Sequence, residues 1–140
     1  MAAFILDASV AISWCFPGDP AEDTPYSRRV LTELVVNDAV VPEIWPYEIA
    51  NNIFVSYNKR KRISEHQIGE YLNLLRALPI RVDSQSLWAN VDLESLARRQ
   101  NIAAYDAAYL DLALRTGFAL ATSDEPLRQA AIALRITVLA

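Results

Sequence analysis

Four acids carry the chemistry that this sequence can support: Asp7, Glu48, Asp106 and Asp124. Asp7 ends the apolar run Phe4-Ile5-Leu6, and Asp124 follows Leu120-Ala121-Thr122-Ser123. Glu48 sits among apolar neighbours in Pro42-Glu43-Ile44-Trp45-Pro46-Tyr47-Glu48-Ile49-Ala50-Asn51. Asp106 falls in the first turn of an otherwise apolar helical stretch, Ala103-Ala104-Tyr105-Asp106-Ala107-Ala108-Tyr109. Four carboxylates in one pocket repel one another and resist burial. Divalent cations make such a pocket tolerable, and an all-oxygen donor set suits Mg²⁺ or Mn²⁺. A site of this kind activates water and stabilises in-line displacement at phosphorus. Ser9 and Thr122 place hydroxyls close to Asp7 and Asp124, to orient those carboxylates or to make local turn and capping bonds. Asn51, three residues after Glu48, shares its helix face and could orient it.

Each acid alone also has an ordinary reading. Asp106 could simply favour the helix dipole, and Asp124 could be only a helix cap. Glu48 could be a solvated helix residue. Asp7 is hardest to explain structurally, because it ends so apolar a strand. A fifth acid, Asp111, lies five residues beyond Asp106 and so points about 140° away around the helix. A structural or solvated role is expected for it.

The elements that must position these acids alternate between strand and helix. Strands are expected at 3–6, 39–41, 80–82, 118–121 and 135–139. Between them, a short helix at 8–16 stops at Pro17-Gly18-Asp19-Pro20, and Thr24-Pro25 opens a second. A third starts between Glu43 and Pro46 and runs to about Lys61. Ser64-Glu65-His66-Gln67 matches a capping box and opens a fourth, through Leu78. Asp83-Ser84 is expected to cap a fifth reaching about Gln100. A sixth covers 103–116 and closes at Gly117. Glu125-Pro126 begins the last. This order implies a parallel sheet with helices on both faces. Strand tips and helix starts share one edge of such a sheet, where ligands gather.

The 140 residues imply a single domain spanning 1–140. A hydrophobic fraction of 53% and a charged fraction of 21% indicate a globular chain. The net charge of −4 excludes coating nucleic acid by bulk charge, though not a nucleic-acid enzyme. The single Cys15 precludes an internal disulfide or a paired-cysteine metal site and fits a reducing, cytoplasmic setting. No convincing signal peptide or run of about 20 apolar residues is present, so no membrane association is expected. The lone His66 makes a histidine-based metal site or a Ser-His-Asp triad improbable.

The segments Ile5-Leu6-Asp7-Ala8-Ser9-Val10, Glu48-Ile49-Ala50-Asn51, Tyr105-Asp106-Ala107-Ala108-Tyr109-Leu110 and Leu120-Ala121-Thr122-Ser123-Asp124-Glu125 together resemble the PIN-domain nucleases. More narrowly, they resemble the VapC-type toxins of toxin–antitoxin pairs. The resemblance covers nearly the whole chain. It implies an α/β fold, a three-layer α/β/α sandwich around a short-stranded, mostly parallel sheet of about five strands. It also implies a Mg²⁺- or Mn²⁺-dependent endoribonuclease that leaves a 3′ hydroxyl and a 5′ phosphate. Asp7, Glu48, Asp106 and Asp124 take the places of the family's acids, and Thr122 that of the polar residue before the last one. A homodimer, an RNA substrate and a cognate antitoxin whose C-terminal segment lies in or near the active site are likewise implied.

For RNA contacts, Lys59-Arg60-Lys61-Arg62 ends the third helix and holds both lysines of the protein. It serves either as a solvated helix end or as a phosphate-binding cluster. A regular helix would put it about 17–20 Å from Glu48, suited to distal RNA and not to the scissile phosphate. Arg98, Arg99 and Arg128 are further candidates. Trp14, Trp45, Trp88 and the tyrosines could stack bases or pack a core, a dimer or an antitoxin groove. Two other functions compete. An acidic pocket that docks a partner without turnover is the main alternative. A phosphoacceptor domain would need an acid pair after the first strand and a lysine near the last, and no lysine follows Lys61.

Overall fold

The computed structural model describes residues 3–84 and 92–140. Its strands are β1 (Ala3–Leu6), β2 (Asp38–Val41), β3 (Ile80–Val82) and β4 (Ala119–Ala121). Its helices are α1 (Ala8–Ser13), α2 (Pro25–Glu33), α3 (Trp45–Phe54), α4 (Glu65–Ala77), α5 (Leu93–Gln100), α6 (Ala104–Thr116) and α7 (Glu125–Ala133). The strands form one parallel sheet in the order β3-β2-β1-β4. Phe4, Ile5 and Leu6 of β1 are buried, the continuous apolar reading of a strand covered on both faces.

Strand order explains where a site can form. From β1 the chain steps to β2 and then β3 on one side, and β4 lies on the other side of β1. Right-handed crossovers therefore put α1–α4 on one face and α5–α7 on the opposite face. The contacts agree: α1 packs on α2 and α3, whereas α6 packs on α5, α7, β1 and β4. Connections leave the tips of β1 and β4 in opposite directions, which opens a crevice between them. Asp7 and Thr122 stand at those two tips.

Local signals set the helix ends. Thr24 accepts from the Ser27 N–H at 3.1 Å, and Ser64 and Gln67 complete the capping box. Gly117 closes α6 with φ 75°, a left-handed conformation that suits glycine. Two expectations differ, and a third is described only in part. The fifth strand, expected at 135–139, is a single parallel bridge between Leu120 and Val138, so the described sheet has four strands and is wholly parallel. The fifth helix is described only from Leu93, where the Asp92 side chain accepts from the Ser95 N–H. Residues 85–91 of that expected helix, Trp88 among them, lie outside the described residues. The third helix is α-helical only to Phe54 and continues as a π-helical turn, Val55–Lys59.

Asp83 ties β3 to α6, while the helix start that it is expected to cap lies outside the described residues. Arg115 reaches Asp83 at 2.9 Å and the buried Asp111 at 2.8 Å. Asp111 is thus a structural ion-pair partner. Truncating Asp111 removes one of the two carboxylates paired with Arg115. Asp111→Ala is expected to lower the unfolding free energy by about 2 kcal/mol in urea titration, a typical cost for breaking a partly buried pair.

Candidate active site

Asp7 is only 4% exposed, at the tip of the central strand. Its Oδ2 accepts from the Ser9 hydroxyl at 2.6 Å and from the Thr122 hydroxyl at 2.7 Å. Those hydroxyls are themselves fixed by N–H groups of the β4–α7 turn, Ser9 from across the crevice and Thr122 from within its own turn. Ser9 Oγ accepts from the Ser123 N–H at 3.1 Å, and Thr122 Oγ1 accepts from the Asp124 N–H at 3.0 Å. Each hydroxyl donates its single proton to Asp7 and accepts from the β4–α7 turn. The hydroxyls thereby lock the turn carrying Asp124 to the strand carrying Asp7.

Glu48 comes from the first turn of α3 and is half-buried. Its Oε1 accepts from the Tyr109 hydroxyl at 2.6 Å, and that hydroxyl accepts from the Ala8 N–H at 3.2 Å. Tyr109 is fully buried and lies three residues after Asp106, on the same side of α6. A chain of hydrogen bonds thus runs from the peptide after Asp7, through Tyr109, to Glu48. In the sequence, the one signal for Tyr109 is its spacing from Asp106. Asn51 lines the same cleft as Glu48, but the hydrogen bond to the carboxylate comes from Tyr109.

Electrostatics places the four acids within reach of one another. Burial pushes the Asp7 pKa up, opposed by hydrogen bonds from Ser9 and Thr122, and the Asp124 charge raises it further. Burial raises the Glu48 pKa to about 7, with the charges of Asp7 and Asp106 adding to the rise. Burial raises the Asp106 pKa to about 6, and the charges of Asp124 and Asp7 contribute. No cation figures among these causes. Asp124 also caps α7, its Oδ1 accepting from the Leu127 N–H at 3.5 Å. Its capping and site-facing positions coexist.

The donor set is all oxygen, short of positive charge, and so fits a hard divalent cation in type and charge. Among the described residues, no three His, Cys, Asp or Glu side chains are gathered tightly enough to share an ion as they stand. The fit is one of donor chemistry and charge.

The basic candidates divide. Arg62 pairs with Asp19 at 2.9 Å and stacks 4.1 Å over the Phe16 ring, so it serves the fold. Lys59 lies 5.9 Å over Phe54, and Lys61 takes a left-handed backbone with φ 55°. Arg60 lines one cleft of about 540 Å³ with Glu48 and Asn51. The regular-helix distance from Glu48 does not apply to it, because the π-helical turn intervenes. Arg98 pairs with Glu94 at 2.9 Å, Arg99 donates to the Ser95 carbonyl at 3.3 Å, and Arg128 lies 3.6 Å from Glu125. Trp14 is core, its Nε1 donating to the Ser27 carbonyl at 2.9 Å, and Trp45 is buried as well.

Residues 4–133 match the PIN domain family. The chain belongs to the PIN domain family. Its members are typically metal-dependent nucleases. The fold is similar to the crystal structure of PAE2754 from Pyrobaculum aerophilum, with a TM-score of 0.63 and 16% identity over 92% of this chain and 79% of that one. No curated protein matches the sequence significantly. Among the described residues, no helix of this PIN domain is long and apolar enough to cross a membrane.

The raised acids predict a pH dependence for the metal-free protein. A carboxyl whose folded pKa exceeds its unfolded value binds more protons when folded, so stability falls as pH rises between the two values. Glu48 rises from an ordinary 4.5 to about 7, and Asp106 from 3.8 to about 6. With metal removed, the thermal midpoint attributable to these groups is expected to fall from about pH 4 to about pH 7. Glu48→Gln should flatten the upper part of that decline.

Proposed function

We propose that this PIN domain is a Mg²⁺- or Mn²⁺-dependent endoribonuclease of the VapC toxin type, cutting RNA phosphodiester bonds. What supports the reading is the position of Asp7, Glu48, Asp106 and Asp124 at one sheet edge, where the charges of neighbouring acids add to the burial that raises the pKa values of Asp7, Glu48 and Asp106. Such mutual strain is what a cation site relieves. Asp7, Glu48, Asp106 and Asp124 would hold the ion. When bound, it supplies charge neutralisation and an activated water for attack at phosphorus.

The chain's own residues prepare that chemistry. Ser9 and Thr122 fix the Asp7 carboxylate through Oδ2, and Tyr109 fixes Glu48 through Oε1. Such outer partners orient ligands and set their basicity. Arg60 stands in the Glu48 cleft without an ion-pair partner among the described residues, available to an RNA phosphate. A homodimer and neutralisation by a cognate antitoxin complete the proposed reading, and both rest on the VapC resemblance.

The deciding experiment maps RNA 5′ ends after expression of the wild type and of Asp7→Asn. New ends in the wild type, lost in Asp7→Asn, are expected; undiminished Mg²⁺-dependent cleavage by purified Asp7→Asn sinks the assignment. Tyr109→Phe should leave Glu48 in place but unoriented, lowering metal affinity or activity roughly 10- to 100-fold. Calorimetry with Mn²⁺ separates the nuclease from a non-catalytic acidic binding module. Binding at millimolar metal that weakens in Asp106→Asn supports the nuclease, and no binding supports the module.

A further inference from the structure

Two tyrosines beside the acids are largely exposed. Tyr47 is 73% exposed and Tyr105 is 58% exposed, although large aromatic side chains are usually well buried. Each immediately precedes an acid, Tyr47 before Glu48 on α3 and Tyr105 before Asp106 on α6. Both line the cleft of about 540 Å³ that holds Glu48, Asn51 and Arg60. Both also line an adjoining cleft of about 350 Å³ between the starts of α3 and α6, whose walls include Ile44, Leu93 and Ala108. The two side chains therefore line the same two adjoining clefts, one of them shared with Glu48. Volumes of this order are those of small-ligand sites.

We propose that Tyr47 and Tyr105 form a stacking site for one unstacked nucleobase of the substrate, with Arg60 holding a phosphate of the same strand. This rests on the RNA-cleaving reading above and adds the residues that seat the base. Three properties of the site favour a nucleotide as occupant. The rings are exposed and amphipathic, so they stack on a base without sequence preference. Arg60 supplies positive charge and has no ion-pair partner among the described residues. The cleft is continuous with Glu48, so a base seated there leaves its backbone beside the carboxylates. Trp14 and Trp45, named from the sequence as stacking candidates along with Trp88 and the tyrosines, are buried and unavailable for this role.

A base must leave its helix to enter, so an internal segment of duplex is a poor occupant. Tyr47 and Tyr105 position the substrate and do not touch the reacting atoms. Their loss should act on binding before turnover.

The test uses a single-stranded RNA oligonucleotide carrying 2-aminopurine, whose fluorescence is quenched by stacking. Binding is measured in an Asp7→Asn background with Mg²⁺, and steady-state cleavage is measured in the wild-type background. Tyr47→Leu and Tyr105→Leu are each expected to weaken binding roughly 5- to 100-fold, with the quench reduced. KM should rise by a similar factor, with kcat nearly held. Tyr47→Phe and Tyr105→Phe should restore binding and quench, because the ring is what matters. Circular dichroism checks that the exposed substitutions leave the fold intact. If the leucine variants bind and quench like their parent while the wild type cleaves RNA, the stacking site is overturned and the nuclease reading stands. If the parent binds and quenches through these rings but no metal yields wild-type cleavage, the nuclease reading fails and the base site stands. A change in oligomeric state with unchanged RNA binding would overturn the proposal in favour of a protein contact.

Discussion

Asp7 is an acid almost wholly removed from water at the tip of the central strand. Burying an ionised carboxylate is costly unless hydrogen bonds replace the lost hydration. Here the Ser9 and Thr122 hydroxyls donate to one carboxylate oxygen at 2.6 and 2.7 Å. The same two hydroxyls accept from the Ser123 and Asp124 N–H groups of the β4–α7 turn. The requirement to satisfy one buried acid thus holds two strand tips together. It places the Asp124 backbone, fixes the mouth of the crevice and sets the distance at which the other acids feel the Asp7 charge.

The remaining acids inherit that constraint. Tyr109 is buried beneath the site, and its hydroxyl has one proton to give, which it gives to Glu48. Its acceptor side is occupied by the Ala8 N–H, part of the backbone that leaves Asp7. The helix that delivers Asp106 therefore also positions Glu48. Acids from four parts of the chain are coupled through two strands and two helices, and all three raised pKa values share burial as the leading cause. The ion pairs of Arg115 and the stacking of Arg62 on Phe16 lie outside this network and stabilise the surrounding frame.

Regular elements were easier to read than the path between them. Thr24, the Ser64–Gln67 box and Gly117 mark helix ends through bonds made within a few residues, so local chemistry decides them. The end of α3 was not readable in this way. Nothing in Phe54-Val55-Ser56-Tyr57 forbids a continued α-helix, yet the chain takes a π-helical turn there. Arg60, just past that turn, lines the Glu48 cleft. The last strand failed for a related reason: Val138 bridges only to Leu120 at the edge of the sheet. A β-branched pattern states a preference, and the extent of pairing is set by the partner strand.

The sequence by itself determined the α/β alternation, the caps and the four acids that could do chemistry. An apolar run ending in a carboxylate, and acids at helix starts, are local patterns. That Asp7, Glu48 and Asp106 lie near enough for neighbouring carboxylate charges to raise their pKa values was decided by tertiary structure, and strand order creates the crevice between β1 and β4. So was the role of Tyr109, which looked like one more aromatic on an apolar helix until its hydroxyl met Glu48 from 61 residues away. The exposure of Tyr47 and Tyr105 beside two acids was settled in the same way, by how α3 and α6 approach. Composition identifies which groups are present, but hydrogen bonds and Coulomb interactions depend on distance, and only the folded chain sets that distance.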